Sequence, residues 1–319
     1  MKLVFCGTPM FAVPCLERVV NAGHEVTLVV TQPDRPQGRG MTLTAPPVKQ
    51  SAIKLGLPVI QPERIKTNQE FRDQISAQQA DAIIVVGYGR IIPSWMLQLP
   101  QHGNINVHGS LLPKYRGAAP IQWAIARGET VTGVTTMRID EGLDTGDMLM
   151  QREMDILPDD TAVTLAPRMA AIGAELLVET LAAIKKGNIR PVPQDNSQAT
   201  LAPILKKEDG QIDFSLAAKE VHDRLRGFQP WPGAFTHYRG KTVKIVTAEP
   251  ASANLEVAPG ELYLHGSDQL MVGCAGGTLL ALLQIQPEGK KAMAARDFIS
   301  GYRPASGEKL GEKPGESLV

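Results

Sequence analysis

The chain has 319 residues, of which 43% are hydrophobic and 21% are charged, a balance typical of a folded globular protein. Lys and Arg total 33, as do Asp and Glu, so the net charge of +0 gives no general support for a nucleic-acid partner. No run approaches the roughly 18 apolar residues of a membrane span, and the 3 cysteines form no CxxC pair. We therefore expect a cytoplasmic chain with two ordinary domains and no membrane segment.

Strands and helices alternate along the first half of the chain. The predicted strands are KLVFCG, HEVTLVVT, PVIQ, ADAIIVVGYG and GNINVH, and the predicted helices are FAVPCLERVVNAG, PPVKQSAIKLG, QEFRDQISAQQ and GAAPIQWAIARGE. VTGVTTMRI and DMLMQREMDI follow as an antiparallel pair, before a long helix from Thr161 to Lys186 in which Pro167 is a candidate for a kink. Near-continuous apolar strands separated by helices predict an α/β fold with a mostly parallel, Rossmann-like sheet.

The amino-acid composition changes after this helix. GNIRPVPQDNSQATLAPILKKEDG is rich in Pro, Asn and Gln and is typical of a linker of about 20 residues. An amphipathic helix, LAAKEVHDRLRGF, and several short strands with turn signals follow, which predicts a small barrel or sandwich. The sequence therefore predicts a first domain over 1–187, a linker over 188–206 and a C-terminal β domain over 207–319.

Two polar side chains, Asn106 and His108, end the predicted strand in NINVHGS. A period of two places both on one face, and ligands of a doubly wound sheet bind beyond the carboxyl ends of its strands. Asn supplies an amide donor, and His can hold or release a proton near neutral pH. Spacing alone is equally compatible with a strand end whose polar groups bond to backbone and water.

Asp144 is a further candidate, in the loop DEGLDTGDM. Gly142 and Gly146 flank it and permit a tight loop that presents the carboxylate. On local grounds an aspartate that caps its own turn is favoured. The DTG triplet is also found in aspartic proteases, but that class needs two such triplets in an all-β chain.

A long basic loop, QPDRPQGRGMTLTAPPVK, carries Arg35, Arg39 and Lys49 against Asp34 alone. Loops of this length within a compact domain are usually functional or disordered, and arginines suit phosphates. A solvated surface loop is almost as well supported.

Three common ligand classes find no support in the sequence. The six histidines are scattered without the spacing of metal ligands, so we expect no metal. No GxxxxGK[ST] is present, and GTPMFAVP lacks the further glycines of a dinucleotide-binding turn.

Taken together, NINVHGSLLPKYRGAAPIQ and GLDTGD resemble the signature of the folate-dependent formyltransferases. The resemblance implies a formyl-transferring enzyme that uses 10-formyltetrahydrofolate as donor and no metal. It implies that Asn106, His108 and Asp144 are catalytic. The folate-contacting segment of the family would fall on Ser110, Leu111, Leu112 and Pro113.

GTPMF, TQPDRPQGRG, VVGYGRIIP, LKKEDGQIDFS and FQPWPG extend the resemblance along nearly the whole chain. They are similar to the branch of the family that formylates methionine on initiator methionyl-tRNA for translation initiation. That branch implies a loop inserted at the tRNA acceptor arm, with its arginine at Arg39, and a C-terminal OB-fold-like barrel that binds tRNA. Arg35 and Lys49 would add phosphate contacts, and a two-domain chain of this size can act as a monomer.

Three alternatives remain open at this point. An enzyme that formylates a small amine, such as glycinamide ribonucleotide or an amino sugar, would share Asn106, His108 and Asp144 but lack the arginine loop and the barrel. A hydrolase that releases formate from the same cofactor would also keep these three residues. A folate- or RNA-binding protein without catalysis is disfavoured because all three are present.

Overall fold

The computed structural model of the chain describes residues 1–37, 40–252 and 256–311. These residues form two compact units. The first comprises Met1–Pro120, Val131–Asp155 and Thr164–Pro203, and the second comprises Ile121–Thr130, Ile156–Val163 and the chain from Ile204 onward.

Nine strands and six helices lie between residues 1 and 203 in the part of the chain that the structure describes. They are β1 (Lys2–Gly7), α1 (Val13–Asn21), β2 (Glu25–Val30), β3 (Arg35–Gln37), β4 (Thr42–Thr44), α2 (Pro47–Lys54), β5 (Val59–Ile60), α3 (Gln69–Ala77), β6 (Ala82–Val86), α4 (Ser94–Leu97), β7 (Asn104–His108), α5 (Pro120–Ala126), β8 (Val131–Arg138), β9 (Met148–Asp155) and α6 (Ala162–Lys185).

Seven of these strands form one sheet in the order β5-β2-β1-β6-β7-β8-β9. The first five are parallel, whereas β8 runs antiparallel to β7 and β9 antiparallel to β8. All five residues of β6 are buried, because both faces of a parallel sheet are covered. The predicted mostly parallel sheet and the antiparallel pair at its end are both confirmed.

Local elements account for the differences from the predicted pattern. The basic loop contains a short hairpin, in which β3 pairs antiparallel with β4, although RPQ and TLT show no apolar alternation. The four-residue helix α4 is too short to produce a period. α6 continues through Pro167, which lies in its second turn and removes one backbone hydrogen bond there.

The segment predicted as a linker is hydrogen-bonded to the first unit over much of its length. Val192 exchanges two backbone hydrogen bonds with Met148, and the Thr200 hydroxyl accepts from the Tyr115 N–H at 2.9 Å. Ala202 donates its N–H to the Arg116 carbonyl at 2.7 Å. This part of the segment therefore belongs to the structure that surrounds residues 113–119.

The second unit contains an antiparallel sheet in the order β10-β11-β14-β13-β12, with the short β15 beside β14. Its further elements are α7 (Ala218–Gly227), β10 (Ala234–Tyr238), β11 (Lys241–Ala251), β12 (Leu262–His265), β13 (Gln269–Gly273), β14 (Leu279–Pro287), β15 (Met293–Ala294) and α8 (Ala295–Tyr302). The predicted C-terminal domain of short strands is confirmed, and α8 is an addition to it. Within the described ranges, none of the helices combines the length and apolarity that a bilayer crossing requires.

Two partly buried histidines predict how stability depends on pH. Burial is the largest cause that lowers the pKa of His24 and His222 below the ordinary value of 6.5. Because the unfolded chain then binds a proton more readily than the folded one, protonation favours unfolding. The contribution of the two neutral histidines to the free energy of unfolding is therefore complete above about pH 6.5 and declines below it. We expect the urea midpoint to fall between pH 7.5 and 5.5, and His24→Gln and His222→Gln to flatten that dependence.

The exposed His265 provides a matched control for this experiment. His265→Gln should leave the pH dependence of the urea midpoint as it is in the original protein. An equal flattening by all three substitutions would show that burial is not the cause.

Candidate active site

β7 carries Asn106 and His108 to the carboxyl end of the parallel part of the sheet. Asn106 lies opposite Val85 of β6, and His108 lies opposite Thr135 of β8, so both are held inside the sheet. The Asn106 side chain is half-buried, whereas only 5% of His108 is exposed. The edge at which doubly wound sheets bind their ligands is therefore lined here by an amide and an imidazole.

Asp144 meets both side chains from the loop between β8 and β9. Its Oδ1 lies 3.5 Å from Asn106 Nδ2, and its Oδ2 lies 3.7 Å from His108 Nδ1. The second distance is too long for a hydrogen bond but short enough for an ion pair with a protonated ring. The structure thus brings the three residues together, and their catalytic roles stay a prediction.

The backbone carbonyl of Tyr115 sets the orientation of the His108 ring. His108 Nε2 lies 2.9 Å from this oxygen. A carbonyl can only accept, so Nε2 carries a proton and, in the neutral ring, Nδ1 carries the lone pair. The nitrogen that faces Asp144 is therefore the one able to take up and release a proton.

The Asp144 carboxylate is held by a distant part of the chain and not by its own turn. Its Oδ2 accepts the backbone N–H of Gly117 at 2.9 Å. The local cap is Asp140, whose carboxylate accepts from the Gly142 N–H at 3.0 Å and from the Thr145 hydroxyl at 2.8 Å. Because Asp140 caps the turn, the Asp144 carboxylate is available to face Asn106 and His108.

The loop around Asp144 is tight, as its flanking glycines predict. Asp144 itself has a φ of 52°, in the left-handed region that side chains rarely adopt. A Cβ on Gly146 would collide with the carbonyl oxygen of Arg138, so no other residue fits there without a shift of the backbone.

Most polar groups of the SLLP segment, residues 110–113, form hydrogen bonds to other residues of the protein. The Ser110 hydroxyl donates to the Lys114 carbonyl at 2.6 Å, and the Leu112 N–H donates to the Thr135 hydroxyl at 3.1 Å. Thr135 in turn donates to the Ser110 carbonyl at 2.6 Å, and Gln151 donates to the Leu112 carbonyl at 2.8 Å. These bonds fix the shape of the loop that follows His108.

Side-chain surface remains at two of the four predicted folate contacts. Leu111 and Pro113 are half-buried, whereas Ser110 and Leu112 are buried. An apolar surface for the folate ring is therefore offered by Leu111 and Pro113, and the assignment of folate contacts stays a prediction.

The three cations of the basic loop have different surroundings. Arg35 is exposed on β3, and Arg39 lies outside the described residues. The Lys49 ammonium binds both carboxylate oxygens of Asp34, at 2.9 and 2.8 Å, and Gln61 Oε1 at 2.6 Å. The Lys49 hydrogen bond is the main cause that lowers the pKa of Asp34, followed by that of Gln61. The charge of Lys49 is therefore already opposed within the protein.

Sequence reasoning missed Arg116 and Gln194, which lie directly behind the Asp144 loop. The Gln194 amide donates to the carbonyls of Asp144 and Gly146, and Arg116 donates to the Gln194 side-chain oxygen. Arg116 follows Tyr115 in the quoted signature, so the sequence contained that signal. Gln194 lies in a polar stretch where nothing local distinguishes it.

In the ranges that the structure describes, the cysteines form no disulfide and the possible metal-ligating side chains form no cluster. Cys6, Cys15 and Cys274 are free and buried. Burial raises the pKa of the Cys274 thiol to about 11 and that of Cys15 to about 12. Among the described residues, no three His, Cys, Asp or Glu side chains gather as metal ligands.

Comparison with known proteins defines the class to which this fold and site belong. The formyl transferase profile matches residues 1–181, and the profile of the formyl transferase C-terminal domain matches residues 204–303. The chain belongs to the formyl transferase family. It is 67% identical over 311 residues to the methionyl-tRNA formyltransferase of Koribacter versatilis, which covers 98% of this chain and 99% of that protein. It is 58% identical to the methionyl-tRNA formyltransferase of Acidobacterium capsulatum, over 98% of this chain and 100% of the relative.

Solved structures share the fold at lower sequence identity. A sugar 3N-formyl transferase, WlaRD, determined with dTDP and 5-N-formyl-THF, has a TM-score of 0.64 at 18% identity and covers 91% of this chain and 99% of its own. The methionyl-tRNA formyltransferase from Clostridium thermocellum has a TM-score of 0.53 at 16% identity, with 78% and 93% covered. These likenesses extend the common architecture to formyl transferases with different acceptors.

Proposed function

We propose that this protein transfers the formyl group of 10-formyltetrahydrofolate to the α-amine of methionine on initiator methionyl-tRNA, giving N-formylmethionyl-tRNA for translation initiation. The observation that carries the proposal is the meeting of Asn106, His108 and Asp144 at the end of β7. It occurs in a formyl transferase that is 67% identical, over nearly its whole length, to a methionyl-tRNA formyltransferase.

Asn106 supplies the donor for the charge that develops during transfer. Attack of the amine on the formyl carbon gives a tetrahedral intermediate with negative charge on the formyl oxygen. The Asn106 amide donates a hydrogen bond to that oxygen, and its place on a strand within the sheet fixes the amide before the reaction begins.

His108 and Asp144 move the proton. The attacking amine loses a proton as the new C–N bond forms, and N10 of the folate takes one as its bond to the formyl carbon breaks. His108 Nδ1 is the unprotonated nitrogen of the neutral ring and faces Asp144, so the pair can receive the first proton and return it to N10. The Asp144 carboxylate stabilises the imidazolium that exists between these two transfers.

The folate ring would lie against the loop that follows β7. Leu111 and Pro113 provide apolar surface next to His108, and the hydrogen bonds through Thr135 hold that surface in place. Since Ser110 and Leu112 are buried, their part is to shape the loop.

Formyl transfer measured with several acceptors tests this function. We would supply 10-formyltetrahydrofolate with methionine charged on initiator tRNA, with a charged elongator tRNA, and with free amines including an amino sugar. Rapid transfer confined to charged initiator tRNA is the expected result. Preferred transfer to a small amine, or formate release without an acceptor, would replace it with one of the two sister activities.

Arg35, Arg39 and Lys49 are proposed to contact tRNA phosphates, with unequal weight. Arg35→Ala and Arg39→Ala should each weaken tRNA binding and lower the slope of log affinity against log salt by about 1. Lys49→Ala should change the slope less, because Asp34 and Gln61 already bind its ammonium. Equilibrium binding from low to moderate salt measures all three.

Lys54, an exposed lysine at the end of α2, is the matched control for the loss of one positive charge. Lys54→Ala should keep the salt slope of the original protein. An unchanged slope in Arg39→Ala as well would remove the loop from the phosphate-binding surface.

A further inference from the structure

Gln194 uses both protons of its side-chain amide on the loop that presents Asp144. Its Nε2 donates to the Asp144 carbonyl at 2.9 Å and to the Gly146 carbonyl at 2.7 Å. The two carbonyls lie on either side of Thr145, so a single amide hydrogen-bonds to the loop both before and after that residue. Gln194 itself is half-buried and comes from a segment fifty residues further along the chain.

Arg116 fixes which way the Gln194 amide points. Its Nε lies 2.9 Å from Gln194 Oε1, and a guanidinium can only donate, so the atom that it faces must be the oxygen. The nitrogen is thereby directed at the two loop carbonyls. Arg116 is only 7% exposed and also donates through Nη2 to Asn196 Oδ1 at 2.9 Å, which holds the guanidinium in place.

The backbone of Asp144 needs such support. A residue other than glycine in the left-handed region persists only where its neighbours hold it, and Asp144 has a φ of 52°. Gln194 binds its carbonyl on one side while the Gly117 N–H binds its carboxylate on the other. Without the Gln194 bonds the loop is free to relax, which would carry the carboxylate away from His108 Nδ1.

We propose that Gln194 is a positioning residue for formyl transfer, which acts by holding Asp144 in reach of Asn106 and His108, and that Arg116 orients it. The inference rests on the function proposed above and extends it to a part of the chain whose composition is that of a linker. Gln194 acts through the Asp144 backbone, so its loss should change the rate of the chemical step and not the binding of either substrate.

Gln194→Leu tests this by removing the donors while keeping much of the side-chain volume. We expect kcat for formyl transfer to fall on the order of 10- to 100-fold, because a displaced catalytic group of this kind costs about that much. The KM values for folate and for charged tRNA should stay nearly constant. Gln194→Glu, which keeps a partner for Arg116 but turns acceptors toward the two carbonyls, should show the same loss of kcat and serves if the leucine variant does not fold.

A double-mutant cycle separates positioning from general support of the fold. In an Asp144→Ala background, Gln194→Leu should lower kcat no further, because the group that it positions is already absent. If the fold-losses in kcat of the two single variants multiply in the double variant, the inference is overturned. Gln198→Leu, in an exposed side chain of the same segment, is the control and should keep the original kcat.

The outcomes distinguish the inference from the proposed function. If the original protein transfers no formyl group to charged initiator tRNA, the proposed function fails. If it transfers rapidly, Asp144→Ala is slow and both Gln194 variants keep full kcat, the function stands and the positioning role is wrong.

Discussion

Asn106→Ala and His108→Ala are each expected to lower kcat for formyl transfer by about 100-fold or more, the usual loss when a preplaced oxyanion donor or a group that transfers a proton is removed. Asn106 supplies that donor, and His108 supplies the nitrogen that faces Asp144. Single-turnover transfer to charged initiator tRNA measures the chemical step directly. Neither side chain belongs to the apolar surface proposed for the folate ring, so the Kd for tetrahydrofolate should change little.

The folate Kd is also the control for the Asn106 and His108 substitutions. A large loss of folate binding in either variant would mean that the side chain holds the cofactor and not the reacting oxygen. Unchanged turnover in both would move the reaction away from the end of β7.

Asp144→Asn is expected to cost on the order of 100-fold or more in the same single-turnover rate. The amide can still accept the Gly117 N–H, so the loop should keep its shape. It lacks the negative charge that stabilises the imidazolium of His108 during proton transfer. With its oxygen on Gly117, the new amide turns its nitrogen toward Asn106 Nδ2, so the loss reports the carboxylate charge together with its contact to Asn106.

Asp140 offers a matched comparison four residues earlier. Asp140→Asn removes the same charge from the same loop, on a carboxylate that is exposed and caps Gly142 and Thr145. We expect its effect on the rate to be far smaller than that of Asp144→Asn. Equal losses would show that the charge of the loop as a whole, and not the carboxylate next to His108, is what matters.

The parts of the fold that depend on local pattern were predictable from the sequence. The apolar run of β6 indicates a strand buried on both faces, and the period of two in NINVH places Asn106 and His108 together. The short hairpin of β3 and β4 was not predictable, because three residues a strand carry too little pattern.

The aspartate loop shows where local reasoning reaches its limit. Asp140 and Asp144 lie in the same Gly-rich stretch, and either could cap the turn. The choice is made by Gly117, whose N–H comes from the other side of the site and binds Asp144. Local pattern alone therefore could not tell the cap from the candidate catalytic carboxylate; the family resemblance selected Asp144, and the tertiary structure places it next to His108.

The surroundings of Lys49 and Gln194 could not be predicted from the sequence, for the same physical reason in both cases. Lys49 was predicted as a phosphate contact from a count of charges, but its partners include Gln61, which lies beyond the loop. Gln194 was placed in a linker by composition, whereas its hydrogen bonds go to residues about fifty positions earlier. Polar side chains reveal such roles only when the fold brings their partners close.

The attachment of residues 192–203 to the first unit has a consequence for the order in which the protein can mature on the ribosome. Synthesis starts at the N-terminus, so Asn106, His108 and Asp144 are all made well before residues 192–203, which hydrogen-bond to the Asp144 loop and to the Tyr115 backbone. Until Gln194 and Thr200 have left the exit tunnel, neither the Asp144 loop nor the Tyr115 backbone has its outer partner. A nascent or shortened chain that stops near residue 187 would hold the reacting groups without these hydrogen bonds, and the full rate of formyl transfer should require residues up to Pro203 to be outside the tunnel.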